Sequence, residues 1–488
     1  MEELHEEGSA MNKRTGVLLA FVFVLLLGAS LFAASAAAAD TAFTSGYYTC
    51  SLQDDGTAMI TGYTGEEAVL TLPSEVEGIP VTAVGPSAFQ ANVELIGLVI
   101  PEGVTSLGDF AFQRCPNLTD VSLPLSLEKI GLNPFAGCEA LLEVGLDENH
   151  PFLAEVDSVL FSREDSRLVF YPRLMEKGPY AVPEGTRIIG ASAFYECDNL
   201  TEITIPDSVT AIGRRAFYQC SGLRSIVLPY GISTIGADAF CGCTSLASLS
   251  FPENVTSIGE RAFQDCSNLE ELVLPETITT IGEMAFRNCS GLTRLTLPRG
   301  ITTIGKNTFT DCKNITEVVL PEGLAYIGAG AFSECSSLVK LDLPSTVDYI
   351  GSNAFDGCTA LESVSIPDTC SHIGSYAFSR CSSLKAMLLP SYIYTVNAYT
   401  FQGCISMAEI VLPEELEEIG LWAFAGCTSL RTVTIPDPVE IIGDYAFAYC
   451  MNLETVGLPE DLESVGPHTF DQCPKLAGLP DLSDMIGE

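Results

Sequence analysis

The residues of this sequence that could do chemistry are its cysteines. Eighteen occur among 488 residues, and the stretch "GRRAFYQCSGL" around Cys220 shows the setting of most of them. Fifteen hold one position of a repeating pattern, so that Cys197, Cys220, Cys243 and Cys266 follow one another at intervals of 23 residues. Such a series could consist of nucleophiles, metal ligands, disulfide partners or packing groups.

Catalysis and metal binding do not fit this spacing. A nucleophile needs a partner base at each site, but the four histidines, His5, His150, His372 and His468, follow no repeat. Zinc needs four converging ligands, commonly from close Cys-x-x-Cys pairs, whereas one cysteine per coil gives a row of parallel side chains. We therefore predict no catalytic residue, no metal ligand and no cofactor, and we do not expect an enzyme.

Disulfides are the remaining chemical alternative in an exported chain. Equivalent positions in stacked coils lie about 5 Å apart, but a disulfide needs Cβ atoms about 3.8 Å apart that face each other. Parallel side chains do not face each other, so we predict a buried, reduced ladder beneath the outer turns. Of the other three cysteines, Cys370 is expected in the core, Cys241 is the best candidate for an exposed thiol, and Cys50 has no predicted place.

A phenylalanine repeat organises the whole chain. Its interval is 23 residues except for one step of 59, which is one repeat plus a 36-residue insertion. The sixteen copies are Phe89, Phe112, Phe135, Phe194, Phe217, Phe240, Phe263, Phe286, Phe309, Phe332, Phe355, Phe378, Phe401, Phe424, Phe447 and Phe470. A fixed period of this length predicts a solenoid whose units pack only on their neighbours.

The unit "AFYECDNLTEITIPDSVTAIGRR" shows how one coil is built. Phe194 and Cys197 would share one side of a short turn, and the alternation about Ile203 and Ile205 predicts a strand. Pro206, which lacks an N–H donor, would end that strand.

A glycine marks the corner that precedes each phenylalanine. The position of Gly213 holds glycine in fifteen of sixteen copies, and the exception is Asn397. Because glycine and asparagine tolerate the left-handed backbone region best, we predict a positive φ at this corner.

The segment "LTEITIP" has the L-x-x-L-x-L spacing of leucine-rich repeats. With the surrounding pattern "IG-x-x-AF-x-x-C-x-x-L", the chain resembles the BspA-like branch of bacterial leucine-rich-repeat proteins over about residues 44–480. The resemblance implies a β-dominated α/β solenoid of 23-residue coils. Its parallel sheet would form the concave face, and turns and short helices the convex face. It also implies adhesion to host extracellular proteins or to other cells.

The remaining segments suggest further boundaries. Residues 1–39 are predicted to be a secretory signal peptide, because Lys13 and Arg14, an apolar run and an alanine-rich end follow Met11. Residues 1–10 are acidic and fit this pattern poorly, which suggests that translation begins at Met11. The alternative is that residues 16–39 remain as a membrane anchor. A hairpin turn at Asp55-Gly56 is predicted. The predicted units are an N-terminal β-hairpin cap at 40–80, repeats 1–3 at 81–146, a β-hairpin insertion at 147–182, repeats 4–16 at 183–480 and a tail at 481–488.

The charge limits the kinds of partner. Asp and Glu number 63 against 23 Lys and Arg, which gives a net charge of −40. Such a surface repels phosphate backbones, so no nucleic-acid partner is expected. We expect a protein partner, extracellular or host-derived, and no integral membrane role beyond an N-terminal anchor.

The predicted contact surface is the outward side of the sheet, at the eighth and tenth residues after each phenylalanine. This surface is small, β-branched and without an aromatic ladder for sugars. Its one mixed-charge cluster consists of Arg294, Glu317, Lys340 and Asp342, which we predict to make contacts. The alternative is that these positions hold strand-forming residues and nothing more.

Acidic residues follow the proline of many copies, as at Glu102, Glu253 and Glu276. Stacked carboxylates could bind Ca²⁺ weakly, or they could form a solvated edge that keeps the solenoid soluble. The function predicted from the sequence is binding or adhesion by a secreted or cell-surface protein. The alternative is a passive spacer in the cell envelope without a specific ligand.

Overall fold

The computed structural model describes residues 41–460 and 462–478. The predicted signal peptide (1–39) and tail (481–488) lie outside the described residues. All regular secondary structure in the described chain is β-strand.

The first twenty strands run from the N-terminus to the middle of the solenoid. They are β1 (Ala42–Ser45), β2 (Tyr48–Leu52), β3 (Ala58–Tyr63), β4 (Val69–Thr71), β5 (Glu75–Val76), β6 (Ile79–Val84), β7 (Gly97–Val99), β8 (Ser106–Leu107), β9 (Asp120–Ser122), β10 (Lys129–Ile130), β11 (Leu153–Val156), β12 (Val159–Ser162), β13 (Arg167–Phe170), β14 (Gly178–Ala181), β15 (Ile188–Ile189), β16 (Leu200–Thr204), β17 (Ala211–Ile212), β18 (Ser225–Val227), β19 (Thr234–Ile235) and β20 (Ser248–Ser250).

The remaining strands run from the middle of the solenoid towards its C-terminal end, and each has two or three residues. They are β21 (Ser257–Ile258), β22 (Thr280–Ile281), β23 (Arg294–Thr296), β24 (Thr303–Ile304), β25 (Glu317–Val319), β26 (Tyr326–Ile327), β27 (Lys340–Asp342), β28 (Tyr349–Ile350), β29 (Ser363–Ser365), β30 (His372–Ile373), β31 (Ala386–Leu388), β32 (Thr395–Val396), β33 (Glu409–Val411), β34 (Glu418–Ile419), β35 (Thr432–Thr434), β36 (Ile441–Ile442), β37 (Thr455–Gly457) and β38 (Ser464–Val465).

Each coil has three sides. Three-residue strands such as β18 form the long-strand face, two-residue strands such as β19 form the short-strand face, and the phenylalanine segment forms the turn face. Strands pair in parallel with their equivalents 23 residues away, as in Ser225↔Ser248 and Thr234↔Ser257. The predicted leucine-rich-repeat solenoid is confirmed.

The core is a stack of phenylalanine rings. Phe217 and Phe240 are fully buried, and their rings lie 5.1 Å apart and nearly parallel. The strand residues predicted to point inward, including Ile203 and Ile205, are also buried. Because each ring covers the face of the next, one coil cannot exclude water without its neighbours.

Two coils have a tyrosine in place of the phenylalanine, so the phenylalanine repeat does not include them. Tyr63 stacks on Phe89 at 5.2 Å, and Tyr171 stacks on Phe194 at 4.8 Å. With sixteen phenylalanines and these two tyrosines, the ladder has eighteen rungs. An aromatic ring of similar size preserves the stacking, so the fold continues where the motif does not.

The interruption of the repeat holds an antiparallel meander, β11–β12–β13, whose last strand pairs in parallel with β15. Its residues divide between two cores. Leu160, Val169 and Phe170 pack into the N-terminal core, and Val159, Phe161 and Leu168 into the C-terminal one. Arg167 bridges the break, donating from its guanidinium to the carbonyl oxygens of Ile130 and Gly131 at 2.7 and 3.1 Å.

The turn face differs from the prediction, because the described residues contain no helix. Ser192 and Glu196 have φ values of 55° and 57°. Left-handed residues on both sides of fourteen of the sixteen phenylalanines break the helical path. Alternate amides bond between coils, as in Phe194 N to Ala216 O at 2.8 Å, while Cys197 N bonds locally to Phe194 O at 3.3 Å.

The glycine corner also differs from the prediction. Neither Gly213 nor Asn397 has a positive φ. A Cβ on Gly213 would instead lie 2.5 Å from the amide nitrogen of Ala191 in the preceding coil. The glycine is required by this close approach of two backbones, and the left-handed residues lie two positions before and two after the phenylalanine.

The close approach predicts a contrast between two glycines. In Gly282→Ala the new Cβ would lie 2.5 Å from the Glu260 nitrogen, so neighbouring coils must separate. We expect the free energy of unfolding, measured by urea denaturation, to fall by about 1–3 kcal/mol. Gly323→Ala is the control, because its Cβ would meet nothing closer than 3.9 Å. Equal effects of the two substitutions would contradict this account.

Candidate binding surface

The repeated cysteines form a ladder of thiol donors. The Cys220 Sγ donates to the carbonyl oxygen of Phe194 at 2.9 Å, and the Cys243 Sγ to that of Phe217 at 3.1 Å. The same contact occurs at all fifteen repeat positions, with Tyr171 as the acceptor for Cys197. Each thiol therefore links two coils. The cysteines form the predicted ladder of free thiols. The hydrogen bond from each thiol was not predicted from the sequence.

Burial makes these thiols poor nucleophiles. It raises the pKa of Cys312 and of Cys427 to about 12 and raises that of Cys220 further. Since the thiolate is the reactive form, these three thiols stay protonated and unreactive near neutral pH. Cys115 and Cys473, near the two ends of the ladder, differ, because hydrogen bonds with Cys138 and Cys450 lower their pKa. No described histidine side chain hydrogen-bonds to a thiol; His150 meets the Pro124 carbonyl oxygen, and His468 meets Asp444.

The three other cysteines have different outcomes. Cys370 is fully buried, as predicted, and Cys50 is fully buried in β2. The prediction that Cys241 is exposed is wrong, because only 6% of the Cys241 surface is accessible to solvent. Burial raises its pKa to about 12. The sequence could not show that the turn face closes over this position.

Two residues of the acidic edge bind backbone amides. The Glu102 carboxylate accepts from the amides of Leu125 and Ser126 at 3.0 and 3.2 Å, and Glu276 accepts from the Arg299 amide at 3.2 Å. These carboxylates therefore cap turns of the next coil. Within residues 41–460 and 462–478, no cluster of His, Cys, Asp or Glu has a metal-binding arrangement. That same part of the chain holds no helix that could cross a membrane.

The four predicted contact residues lie on the outward side of the long-strand face. Arg294 and Glu317 are register partners in β23 and β25, with Nε and Oε2 3.9 Å apart. In β27, the Lys340 Nζ donates to the Asp342 carboxylate at 2.7 Å. All four side chains are at least 64% exposed.

Three of these four residues line a depression between neighbouring coils. Glu317, Lys340 and Asp342 line it together with Val319 and Glu322. Arg294 is outside the depression and reaches it only through its pairing with Glu317. The structure thus joins three of the four residues in one concavity.

An apolar column runs beside the charged pairs. At the tenth position after the phenylalanine, Val227, Val273, Val319, Leu388 and Val411 are 69%, 74%, 48%, 67% and 45% exposed. Val227 and Val411 are eight coils apart, which corresponds to about 38 Å at the usual strand spacing. Leu388 and Val411 were not among the predicted contact residues, although each lies ten residues after a repeat phenylalanine, Phe378 and Phe401.

The thiol ladder predicts alkaline destabilisation. The unfolded chain loses thiol protons above the ordinary pKa of 9.0, whereas the folded chain keeps them towards pH 12. The stabilisation is complete below pH 9.0 and is lost as pH rises through this window, by about 1.4 kcal/mol per pH unit for each thiol whose pKa burial raises. Urea unfolding under reducing conditions should show a midpoint that falls as the pH rises from 9.0 towards 12.

Thiol counting supplies the control. With a thiol reagent, the native protein should react slowly, and the unfolded, unreduced protein should react at all eighteen cysteines. A count near zero after unfolding would mean that the chain carries disulfides. A midpoint independent of pH would contradict the raised pKa values.

Comparison with solved structures gives several leucine-rich-repeat proteins. One from Bacteroides ovatus is 26% identical, covering 89% of this chain and 92% of that one, with a TM-score of 0.40. A leucine-rich cell-surface protein from Faecalibacterium prausnitzii is 24% identical, covering 91% and 97%, with a TM-score of 0.35. One from Eubacterium ventriosum is 21% identical, covering 66% and 94%, with a TM-score of 0.42. No curated protein matches the sequence significantly.

The repeat itself matches a family model. The model described as "BspA type Leucine rich repeat region (6 copies)" matches residues 71–176, 187–316, 302–411 and 371–480. These ranges cover most of the chain and contain the phenylalanine rings, the thiol ladder and the glycine corners. The chain therefore belongs to the BspA-type leucine-rich-repeat family.

Proposed function

We propose that this protein is secreted or displayed at the cell surface and binds extracellular proteins through its long-strand face. The observation that carries the proposal is the column of exposed valine and leucine side chains beside the mixed-charge cluster. Solenoids of this family are typically non-catalytic, and leucine-rich-repeat proteins generally bind proteins.

The apolar column is a source of binding energy. Single exposed apolar residues are ordinary, but their concentration on one face favours a protein-binding surface. The five apolar residues are interspersed with Ser250, Thr296, Asp342 and Ser365 at the same position of the intervening coils. Covering these side chains would contribute about 25 cal/mol for each Å² of apolar surface removed from water. A face about 38 Å long is sufficient for an interface of ordinary size.

The charged cluster would contribute orientation and specificity. Arg294 with Glu317 and Lys340 with Asp342 are already paired in the free protein, so a partner must offer polar groups that complement both signs. Exposed pairs of this kind add little stability on their own. In an interface they restrict which partner surfaces fit and in which register.

Export is supported by residues outside the described part of the chain. Residues 13–39 have the charge and hydrophobicity pattern of a signal peptide. The similar protein from Faecalibacterium prausnitzii is named a cell-surface protein. Both observations favour an extracellular location, where the partner would be a matrix protein or a protein on another cell.

A binding screen tests this proposal. Residues 40–488 would be immobilised and exposed to a panel of extracellular matrix proteins, with binding measured by surface plasmon resonance. For a partner that binds, the double variant Arg294→Glu and Lys340→Glu should weaken binding by about tenfold, because it converts the mixed cluster into an acidic one.

The matched control reverses the same number of charges elsewhere. Arg299→Glu with Lys306→Glu changes exposed cations outside the long-strand face and should leave the affinity within about twofold. Equal losses in both variants would show a general charge effect and contradict the assigned surface. Absence of saturable binding to any protein in the panel, or on intact cells, would favour the passive spacer.

A further inference from the structure

A second recessed site lies on the turn face, away from the long-strand face. The residues two positions after each phenylalanine form a row along the turn face, which we call the turn stripe. In seven of the sixteen coils the turn stripe carries a long side chain, as at Gln219, Glu334, Arg380 and Tyr449. Two consecutive coils have glycine there instead, Gly403 and Gly426, so the stripe contains a gap.

Other glycines in the turn stripe are covered by the preceding coil. A Cβ on Gly242 would lie 2.9 Å from the Gln219 Cγ, and one on Gly357 would lie 2.8 Å from the Glu334 carboxyl carbon. At Gly426 the nearest atoms are backbone atoms of Gly403 at 3.7 Å, and at Gly403 nothing lies closer than 3.8 Å. The space above these two glycines is therefore open.

The gap stays open because two carboxylates hold the Arg380 guanidinium at its rim. The Arg380 guanidinium binds Asp356, through Nε at 3.0 Å and Nη2 at 2.6 Å, and also binds Glu334 through Nη2 at 2.7 Å. Both acceptors belong to coils that precede the coil of Gly403. The side chain that could have covered the glycine is thus held back by two carboxylates.

Aromatic rings form the other walls. Tyr449 closes the C-terminal end of the gap and is 46% exposed, and Trp422 forms one side, with the two ring centroids 6.3 Å apart. Trp422 is fixed from behind by Tyr445, whose ring stacks on it at 4.5 Å. Gln402 and Arg380 supply polar groups at the rim. The walls are therefore rigid, partly aromatic and partly polar.

The backbone of Gly403 and Gly426, which forms the floor of the gap, cannot pair with an extended peptide. The amides of Gly403 and Gly426 already donate to the carbonyl oxygens of Ala425 and Ala448, both at 2.8 Å. Their own carbonyl oxygens accept from the amides of Ile405 and Thr428. Strand addition needs free backbone groups, so the chemistry of this site must come from its side chains.

The local charge favours a neutral ligand. Two carboxylates surround the one arginine at the rim, and the whole protein carries −40. An anion would be repelled, yet Arg380 keeps Nη1 free of hydrogen bonds within the described residues, and Gln402 adds an amide. These groups can bind hydroxyl oxygens without requiring a charged partner.

From this geometry we propose that the depression over Gly403 and Gly426 binds a neutral saccharide. The apolar face of a pyranose ring would pack on Tyr449 beside Trp422, and its hydroxyls would bond to Gln402 and Arg380. Arg380 and Tyr449 are three coils apart, about 14 Å, which leaves room for a short oligosaccharide. Aromatic walls with a few fixed polar groups are the usual composition of a small-ligand site. The proposal does not depend on the protein-binding surface.

The chain offers a direct readout, because Trp422 is its only tryptophan. Residues 40–488 would be screened on an array of neutral glucose, galactose, mannose and N-acetylhexosamine oligosaccharides, with sialylated glycans alongside. Each glycan that binds would be titrated while tryptophan fluorescence is followed. We expect a saturable change with a neutral oligosaccharide and none with its acidic counterpart.

Two variants and a control locate the binding. Tyr449→Ala removes the stacking face, and Gly426→Gln fills the gap with a residue that Gln219 and Gln472 show to be tolerated at this position, with φ values of 56° and 58°. Each should weaken binding about tenfold or more. Tyr392→Ala removes a tyrosine that is 59% exposed and outside the depression, and it should leave binding unchanged.

Several results would overturn the proposal. They are no glycan binding on the array, binding that survives both depression variants, and a preference for sialylated over neutral glycans. Retained matrix-protein binding in Gly426→Gln would show that the two sites are independent.

Discussion

The rest of the structure depends on the stacking of one coil on the next at a register of 23 residues. Three contacts require this register at once. The phenylalanine ring covers the next ring, the cysteine thiol donates to the phenylalanine carbonyl of the preceding coil, and the corner glycine lets two backbones meet. Each of these contacts joins a coil to its neighbour, which explains why these three residue types recur while most others vary.

The same constraint removes the cysteines from chemistry. A thiol that is fully buried and bonded to a carbonyl oxygen has a raised pKa and no access to a substrate. The repeated cysteines, whose spacing suggests a series of reactive groups, are therefore packing residues of the core. The acidic edge shows a similar pattern, because Glu102 and Glu276 bind backbone amides of the next coil.

Binding must therefore arise from positions that the repeat leaves free, and the solenoid has two kinds of them. On the long-strand face, exposed side chains such as Val273 and Leu388 add apolar surface to a sheet that is already formed. On the turn face, missing side chains at Gly403 and Gly426 create a depression without altering the backbone. Because both surfaces are carried by parallel coils, each could change during evolution without changing the core.

The sequence by itself determined the period, the inward residues and the parallel strands, because the phenylalanine, cysteine and strand pattern repeats in register along the chain. It also placed Arg294, Glu317, Lys340 and Asp342 on the outward side of one face, since strand alternation fixes direction. Only the tertiary structure decided the rest. The role of Gly213, the burial of Cys241 and the coils of Tyr63 and Tyr171 depend on atoms of neighbouring coils. Local propensity carries no information about how closely a distant backbone approaches or which distant side chain covers a position.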